Sequence, residues 1–307
     1  MPEGHTIHRA ARDHHRAFSG QKLYVTSPQG RFSEGASLLD SKSCETVEAI
    51  GKHLLYRFQN NRALHIHLGL FGRVRKQRLP LKPPKGAVRV RLASKTHFVD
   101  INGPTICEVL DQSGVDALFN RIGPDVLRAD ANPDISFQKI QRSTLPIGQL
   151  IMDQSIMAGI GNIYRTEILW RQAIHPEIPG KAISKHTFDC IWADAAYLLA
   201  IGVKRNAIVT VDAQLSSKKR SGERYNIFGT VSCPKCNGDV RRLEINNHRA
   251  IVCDTSATVG LVSLIVAKDK TPDPLVISAC PFDPVLFGST KSILPEKFEW
   301  AGAERLT

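Results

Sequence analysis

Ala158-Gly159-Ile160-Gly161-Asn162-Ile163-Tyr164-Arg165 is the stretch on which the fold of this 307-residue chain turns. Its two glycines let the backbone bend sharply and approach a neighbouring group closely, and Asn162 stands directly before an apolar periodic run. Either this is an ordinary glycine-capped connection with Asn162 as N-cap, or the amides that follow form an anion site at a helix N-terminus. On both readings the segment joins two helices, Leu145–Met157 and Ile163–Arg171. Further on, Phe188, Ile191, Trp192, Ala195, Leu198 and Leu199 make the stripe of a buried helix face. Residues 126–215 therefore read as a helical domain.

Upstream the pattern changes. Ile7, Ala10, Ala11, His14 and Phe18 give a first helix over 3–18. Short strands follow at 23–26, 46–50, 53–58, 63–67, 88–92 and 98–101, separated by Gly51, Asn60-Asn61, Gly69, Gly72 and the run 80–86. Many short strands at this spacing predict a β-sandwich, with a first domain over residues 1–125. Downstream, 216–224 is a polar, basic linker, and a cysteine-anchored unit completes residues 216–257. Residues 258–307 are an extension with little periodicity. The fold class is α+β and multidomain.

The excess of 41 Lys and Arg over 29 Asp and Glu, a net charge of +12, favours a polyanionic partner, most simply nucleic acid. No apolar run approaches the ~18–20 residues of a spanning helix, and the N-terminus lacks a charged-then-apolar export pattern. A cytoplasmic protein without membrane partners is expected. With 7 cysteines and no export signal, Cys233-x-x-Cys236 points to metal rather than disulfides.

Three further segments carry chemistry. In Met1-Pro2-Glu3-Gly4, removal of Met1 exposes a secondary amine beside a carboxylate. An α-amino group titrates near pH ~8 and is partly nucleophilic at neutrality. A secondary amine attacking a sugar C1′ proceeds to a charged iminium, with Glu3 as acid or base; many chains also begin Met-Pro by chance. In Gly51-Lys52-His53-Leu54-Leu55, Lys52 is either a solvated surface cation or a phosphate ligand. His67-Leu68-Gly69-Leu70-Phe71-Gly72, followed by Arg73, Arg75, Lys76 and Arg78, is either a hairpin packing its own apolar residues or a wedge that fills the gap left by a flipped nucleotide. His65 and His67 read as hydrogen-bonded strand residues rather than metal ligands.

Cys233-x-x-Cys236, sixteen residues and then Cys253 open a zinc ribbon, but Ser256 stands where a fourth cysteine completes the tetrahedron. Cys280, solvent or a metal-free, degenerate ribbon are the remaining options. Strands at 240–245 and 250–252 flank a tip at 246–249, and Arg241, Arg242 and Arg249 bring positive charge.

Taken together and in this order, the Pro-Glu-Gly start, the Gly-Lys-His-Leu turn, Asp153-Gln154 with Gly-Ile-Gly-Asn-Ile-Tyr-Arg, and the Cys-x-x-Cys ribbon resemble the formamidopyrimidine-DNA glycosylase/endonuclease VIII (Fpg/Nei) family. The resemblance is closest to bacterial endonuclease VIII-like proteins and runs from Met1 to about Cys253. It implies a bifunctional DNA glycosylase/AP lyase of base-excision repair, monomeric, acting on duplex DNA with oxidised bases or abasic sites. It implies that Pro2 is the Schiff-base nucleophile, Glu3 the acid and Lys52 the cation near the lesion sugar. Leu70 and Phe71 take the void-filling positions, with Arg73 beside them on DNA. Asn162, followed by Arg165, contacts the backbone in a helix-two-turn-helix. The ribbon-tip arginine maps to Arg249, with His248 the position that cysteine spacing favours. Cys233, Cys236 and Cys253 are the implied zinc ligands. Ile101-Asn102-Gly103-Pro104 replaces the Arg-Arg-Phe-Gly loop of the purine-directed branch, which favours oxidised pyrimidines. Two rival readings are a lyase-impaired, damage-binding paralogue and a non-enzymatic nucleic-acid adaptor.

Overall fold

The computed structural model describes residues 2–211 and 224–257. The chain opens with α1 (Gly4–Phe18), β1 (Gln21–Thr26), α2 (Ser33–Leu39), β2 (Lys42–Ile50), β3 (His53–Phe58) and β4 (Arg62–His67). Next come β5 (Arg73–Arg78), β6 (Val88–Ala93), β7 (His97–Asn102), β8 (Ile106–Leu110) and α3 (Gln112–Arg121). The strands run β5-β7-β6-β1-β2-β3-β4-β8, with every adjacent pair antiparallel. β1 serves both halves of this order: Gln21–Leu23 pair with β2, and Tyr24–Thr26 with β6. The sandwich core draws Leu54, Tyr56 and Ile66 from one half and Val90, Leu92 and Val99 from the other, closed by Ile7, Ala11 and Phe18 of α1.

A helical unit follows, with α4 (Pro133–Gln141), α5 (Ile147–Leu150), α6 (Asn162–Arg171) and α7 (Lys185–Arg205). The long helix expected at 145–157 is a correction. Only α5 is helical there; its start is fixed by Ile147 and Gly148, whose amides donate to Ile178 O (2.7 Å) and Pro176 O (2.9 Å). The chain then turns at Asp153, whose carboxylate accepts from Ser155 N at 2.8 Å. α7 carries the predicted stripe into a core with Tyr164 and Ile168 of α6. Ser184 caps its start by accepting from Thr187 N. Arg9 of α1 donates to Val203 O and Lys204 O, both at 2.9 Å, where the helix dipole favours a cation.

The hairpin of β9 (Arg241–Ile245) and β10 (His248–Val252) turns at Asn246 and Asn247, both at positive φ as a two-residue hairpin turn requires. Arg249 is the second residue of β10, opposite Glu244, rather than part of the tip. Glu167 anchors the approach to this unit: its buried carboxylate accepts from the amides of Asn226, Ile227 and Phe228 and from Thr210 Oγ1. The linker at 216–223, the extension 258–307 and Cys280 lie outside the described residues.

A candidate active site and nucleic-acid interface

The start of α1 is seated against the turn that precedes α6. Gly4 donates to Gly159 O at 2.8 Å, an approach only glycine permits, since a Cβ on Gly4 would lie 2.7 Å from Gly159 Cα. Glu3 is fully buried, and its two carboxylate oxygens accept from Gly161 N (2.8 Å) and Ile163 N (3.1 Å). Gly161, not Asn162, is thus the N-cap of α6, and it is Glu3 that occupies the dipole-favoured position at that helix start. The anion that these amides hold is thus the protein's own Glu3 carboxylate rather than a bound ligand.

Burial raises the Glu3 carboxyl above its ordinary range, against the opposing pull of nearby Lys52 and these amides. Lys52, half-buried on the turn between β2 and β3, is shifted down by burial, against the attraction of Glu3. Both shifts share one cause: the pair is removed from water, so each charged form is disfavoured.

A buried carboxylate braces the turn that carries Lys52. Asp125 Oδ2 accepts from Gly51 N at 2.6 Å and pairs with His8 Nε2 at 2.7 Å. Its neighbour Gln154 accepts from Gly159 N and donates to Ile160 O. Burial pushes Asp125 up, but His8 and the amides outweigh it and the carboxyl is lowered. Asp125 and His8 escaped the sequence reading because neither belongs to a spaced motif.

Half-buried Pro2 lines a cleft of about 710 Å³ with Thr6, Arg9, Leu70, Phe71 and Arg73. The loop between β4 and β5 presents the two apolar residues outward: Phe71 is 87% and Leu70 59% exposed, so they are not packed into their own hairpin. Gly72 closes this loop where a Cβ would lie 2.2 Å from Leu68 O. Nearby, His53 Nδ1 and His65 Nε2 are 2.8 Å apart, and His65 Nδ1 lies 2.9 Å from Glu108. His67 Nδ1 lies 3.0 Å from Thr105 Oγ1, so His65 and His67 are both hydrogen-bonded as expected.

Asn162 is half-buried at the first turn of α6. Its Oδ1 accepts from the Arg165 guanidinium, which leaves Nδ2 as the outward donor. Arg165 itself is only 1% exposed and donates to Gly148 O and Arg249 O. As a direct DNA contact it is therefore corrected: it lies on the packed side of α6, clamping the hairpin to the helix. Burial brings it down to about 10. Arg249 is exposed, while its carbonyl accepts this clamp.

The sulfurs of Cys233, Cys236 and Cys253 lie within 4.8 Å of one another. Ser256 Oγ shares a 3.5 Å hydrogen bond with Cys233 Sγ, and Trp170 Nε1 donates to the same sulfur at 3.3 Å. Burial would raise the Cys233 thiol, but Ser256, Trp170 and two backbone amides bring it down to about 6. Three near-convergent thiols fit a metal ion, with the Ser256 hydroxyl beside them.

Residues 1–105 match the formamidopyrimidine-DNA glycosylase N-terminal domain, and residues 122–213 match the formamidopyrimidine-DNA glycosylase H2TH domain. Endonuclease 8 1 of Mycobacterium tuberculosis is 38% identical over 268 residues, covering 84% of this chain and 100% of the relative. Formamidopyrimidine-DNA glycosylase of Chloroflexus aurantiacus is 28% identical over 255 residues, covering 76% and 85%. Among solved structures, Lactococcus lactis Fpg in complex with abasic-site DNA matches with a TM-score of 0.70 at 20% identity, covering 83% of this chain and 99% of that one. The latter likeness is one of fold.

Proposed function

The chain belongs to the formamidopyrimidine-DNA glycosylase/endonuclease VIII family, and from that membership we propose how its residues carry out base excision. It is a DNA glycosylase/AP lyase of base-excision repair that binds damaged double-stranded DNA, with oxidised pyrimidines as its preferred lesions. The supporting observation is the placement of Pro2 in an open cleft beside exposed Leu70 and Phe71, with Glu3 buried immediately behind it. We place the DNA-repair work in the cytoplasm on the strength of its bacterial relatives.

Leu70 and Phe71 enter the stack as the damaged nucleotide is flipped, which costs least at a weakened pair. The Pro2 amine, freed of Met1, bonds to C1′, the base leaves, and the nitrogen carries the resulting iminium. Glu3, whose burial favours its protonated form, gives a proton as the sugar ring opens. Loss of a C2′ proton then expels the 3′ phosphate, and a second elimination expels the 5′ phosphate. Lys52 and the Asn162 amide hold flanking phosphates, and exposed Arg73 and Arg249 add positive charge along the backbone.

Zinc held by Cys233, Cys236 and Cys253, with Ser256 Oγ or Cys280 as fourth donor, would tie the hairpin to the segment preceding it and takes no part in bond breaking. The domain limits proposed are 1–125, 126–215, 216–257 and 258–307.

Borohydride reduction in the presence of abasic or oxidised-pyrimidine duplex tests this. A covalent protein–DNA adduct is expected, absent when Met1 is retained. Specific binding of damaged duplex with no adduct would overturn the lyase reading.

A further inference from the structure

Residues 49–99 carry twelve Lys and Arg and no Asp or Glu, which equals the chain's whole formal excess of +12. That charge is concentrated along β5 and the segment that follows it. Ten consecutive residues, 78–87, are exposed. They are nevertheless held at both ends: Leu79 N donates to Thr96 O (3.0 Å), Asn102 Nδ2 to Lys85 O (2.9 Å) and Gly103 N to Ala87 O (3.2 Å). Between this arm and β5 lies a second cleft, of about 530 Å³, lined by Arg75, Lys76, Lys82 and Lys85. Its one acidic lining residue, Asp100, is already held bidentately by Arg91 at 2.6 and 2.8 Å. Arg75, Lys82 and Lys85 therefore face a concave space with no free counter-charge in its lining, while Lys76 Nζ turns to α1 and donates to Asp13 O at 3.0 Å. Val74, Arg75 and Lys76 line this cleft and also the one that holds Pro2 and Phe71, so the two adjoin along β5.

We propose that the 78–87 arm and β5 form a second DNA-backbone site, which grips the duplex flanking the lesion. The proposal rests on the glycosylase reading above and extends its footprint. A strand rises about 3.3 Å per residue, so Arg73 to Arg78 spans roughly 16 Å. With a helical rise of about 3.4 Å per base pair, the arm meets phosphates about five base pairs from the flipped nucleotide. Three features select an extended polyanion: the arm's prolines limit its freedom, its lysines are exposed, and its groove adjoins the lesion cleft along β5.

The test compares wild type with Lys82→Gln/Lys85→Gln, and with Lys22→Gln/Lys42→Gln, which removes the same charge from exposed positions on β1 and β2. Fluorescence anisotropy is read on abasic-analogue duplexes whose flanks are about four or about twelve base pairs, either side of the predicted contact distance. The arm variant is expected to lose affinity several-fold on the long flank alone, and its log–log salt slope to fall by about 1–2. Equal loss on both lengths, loss shared by the control variant, or no loss would overturn the site. So would tripolyphosphate binding that the arm variant loses while its DNA affinity stands, which would assign the cleft to a soluble polyanion. Borohydride trapping of wild type is scored separately: length-dependent binding without an adduct leaves the arm standing and removes the chemistry.

Discussion

Gly161 shows how a single missing side chain supports the proposed chemistry. A Cβ there would lie 2.3 Å from Glu3 Cδ, so even alanine must displace the carboxyl from the start of α6. Gly161→Ala is expected to reduce base excision as far as Glu3→Gln does, by about 10²–10⁴-fold, with circular dichroism unchanged. Single-turnover rates like wild type would separate the seat of Glu3 from catalysis. His14 makes a different prediction. Burial pushes it down to about 3, and its neutral ring is held at 2.7 Å from Tyr56 Oη. Above the unfolded value of ~6.5 neither state is protonated and the residue costs nothing; as pH falls below it, only the unfolded chain takes the proton. Stability is then lost at about 1.4 kcal/mol per pH unit until the folded value is reached. His5 and His53, pushed down by burial to about 4 and about 3, act in the same sense. Urea unfolding between pH 6 and 4 should therefore show a steep loss for wild type and a slope shallower by about one proton for His14→Gln. An equal slope would mean that His14 is protonated in the fold.

Among the elements, the β4–β5 loop and the hairpin unit invite direct tests. Phe71 contributes little to folding because it is almost fully exposed, so Phe71→Ala should change stability by no more than about 0.5 kcal/mol. The same change should weaken binding of damaged duplex by about 1–3 kcal/mol, the value of one aromatic–base stack. Unaltered affinity would leave the loop without its wedge role. Ser256→Cys adds the fourth thiolate next to Cys233, and zinc retained against a chromophoric chelator should rise well above wild type. Retention unchanged would place the fourth donor elsewhere. Such elements differ in how far local pattern reveals them. The stripe of α7 is legible because it buries a periodic face, and the strands at 53–58 and 63–67 because they are short runs, buried along nearly their whole length, between turn residues. β5 is not: Arg73-Val74-Arg75-Lys76-Gln77-Arg78 lacks apolar alternation, because an edge strand with mostly exposed residues needs none. The loss of helix over 151–157 reflects the turn at Asp153, whose carboxylate accepts from both Ser155 N and Ser155 Oγ, a local competition that apolar spacing does not register.

In the whole molecule, the sandwich and the helical unit meet at α1, which packs Ile7 and Phe18 into one core while Glu3 and Arg9 bond to the helical unit and His8 to Asp125 at the junction. Pro2, Glu3 and Lys52 are legible through the order of motifs that carries the family resemblance, since residue types alone leave each of them open. The partners Asp125, Gly161 and the end of α7 were invisible, since each lies a hundred or more residues from its mate in α1. The burial of Arg165 is illegible for the same reason, because helix position alone does not say which side another unit covers. With the positive excess gathered on one stretch, DNA affinity should fall linearly in log–log against salt, by about 0.9 in slope per phosphate neutralised. A flat response would remove backbone contacts as the main source of affinity. The 158 positions between Glu3 and Gly161 also set a timetable. At about 5–20 residues per second of synthesis, the socket for Glu3 leaves the ribosome roughly ten to thirty seconds after the residue it receives. Aminopeptidase trimming therefore has an interval in which the leading residues are still undocked, and a fusion partner that outlasts that interval would leave a well-folded protein with its amine permanently masked.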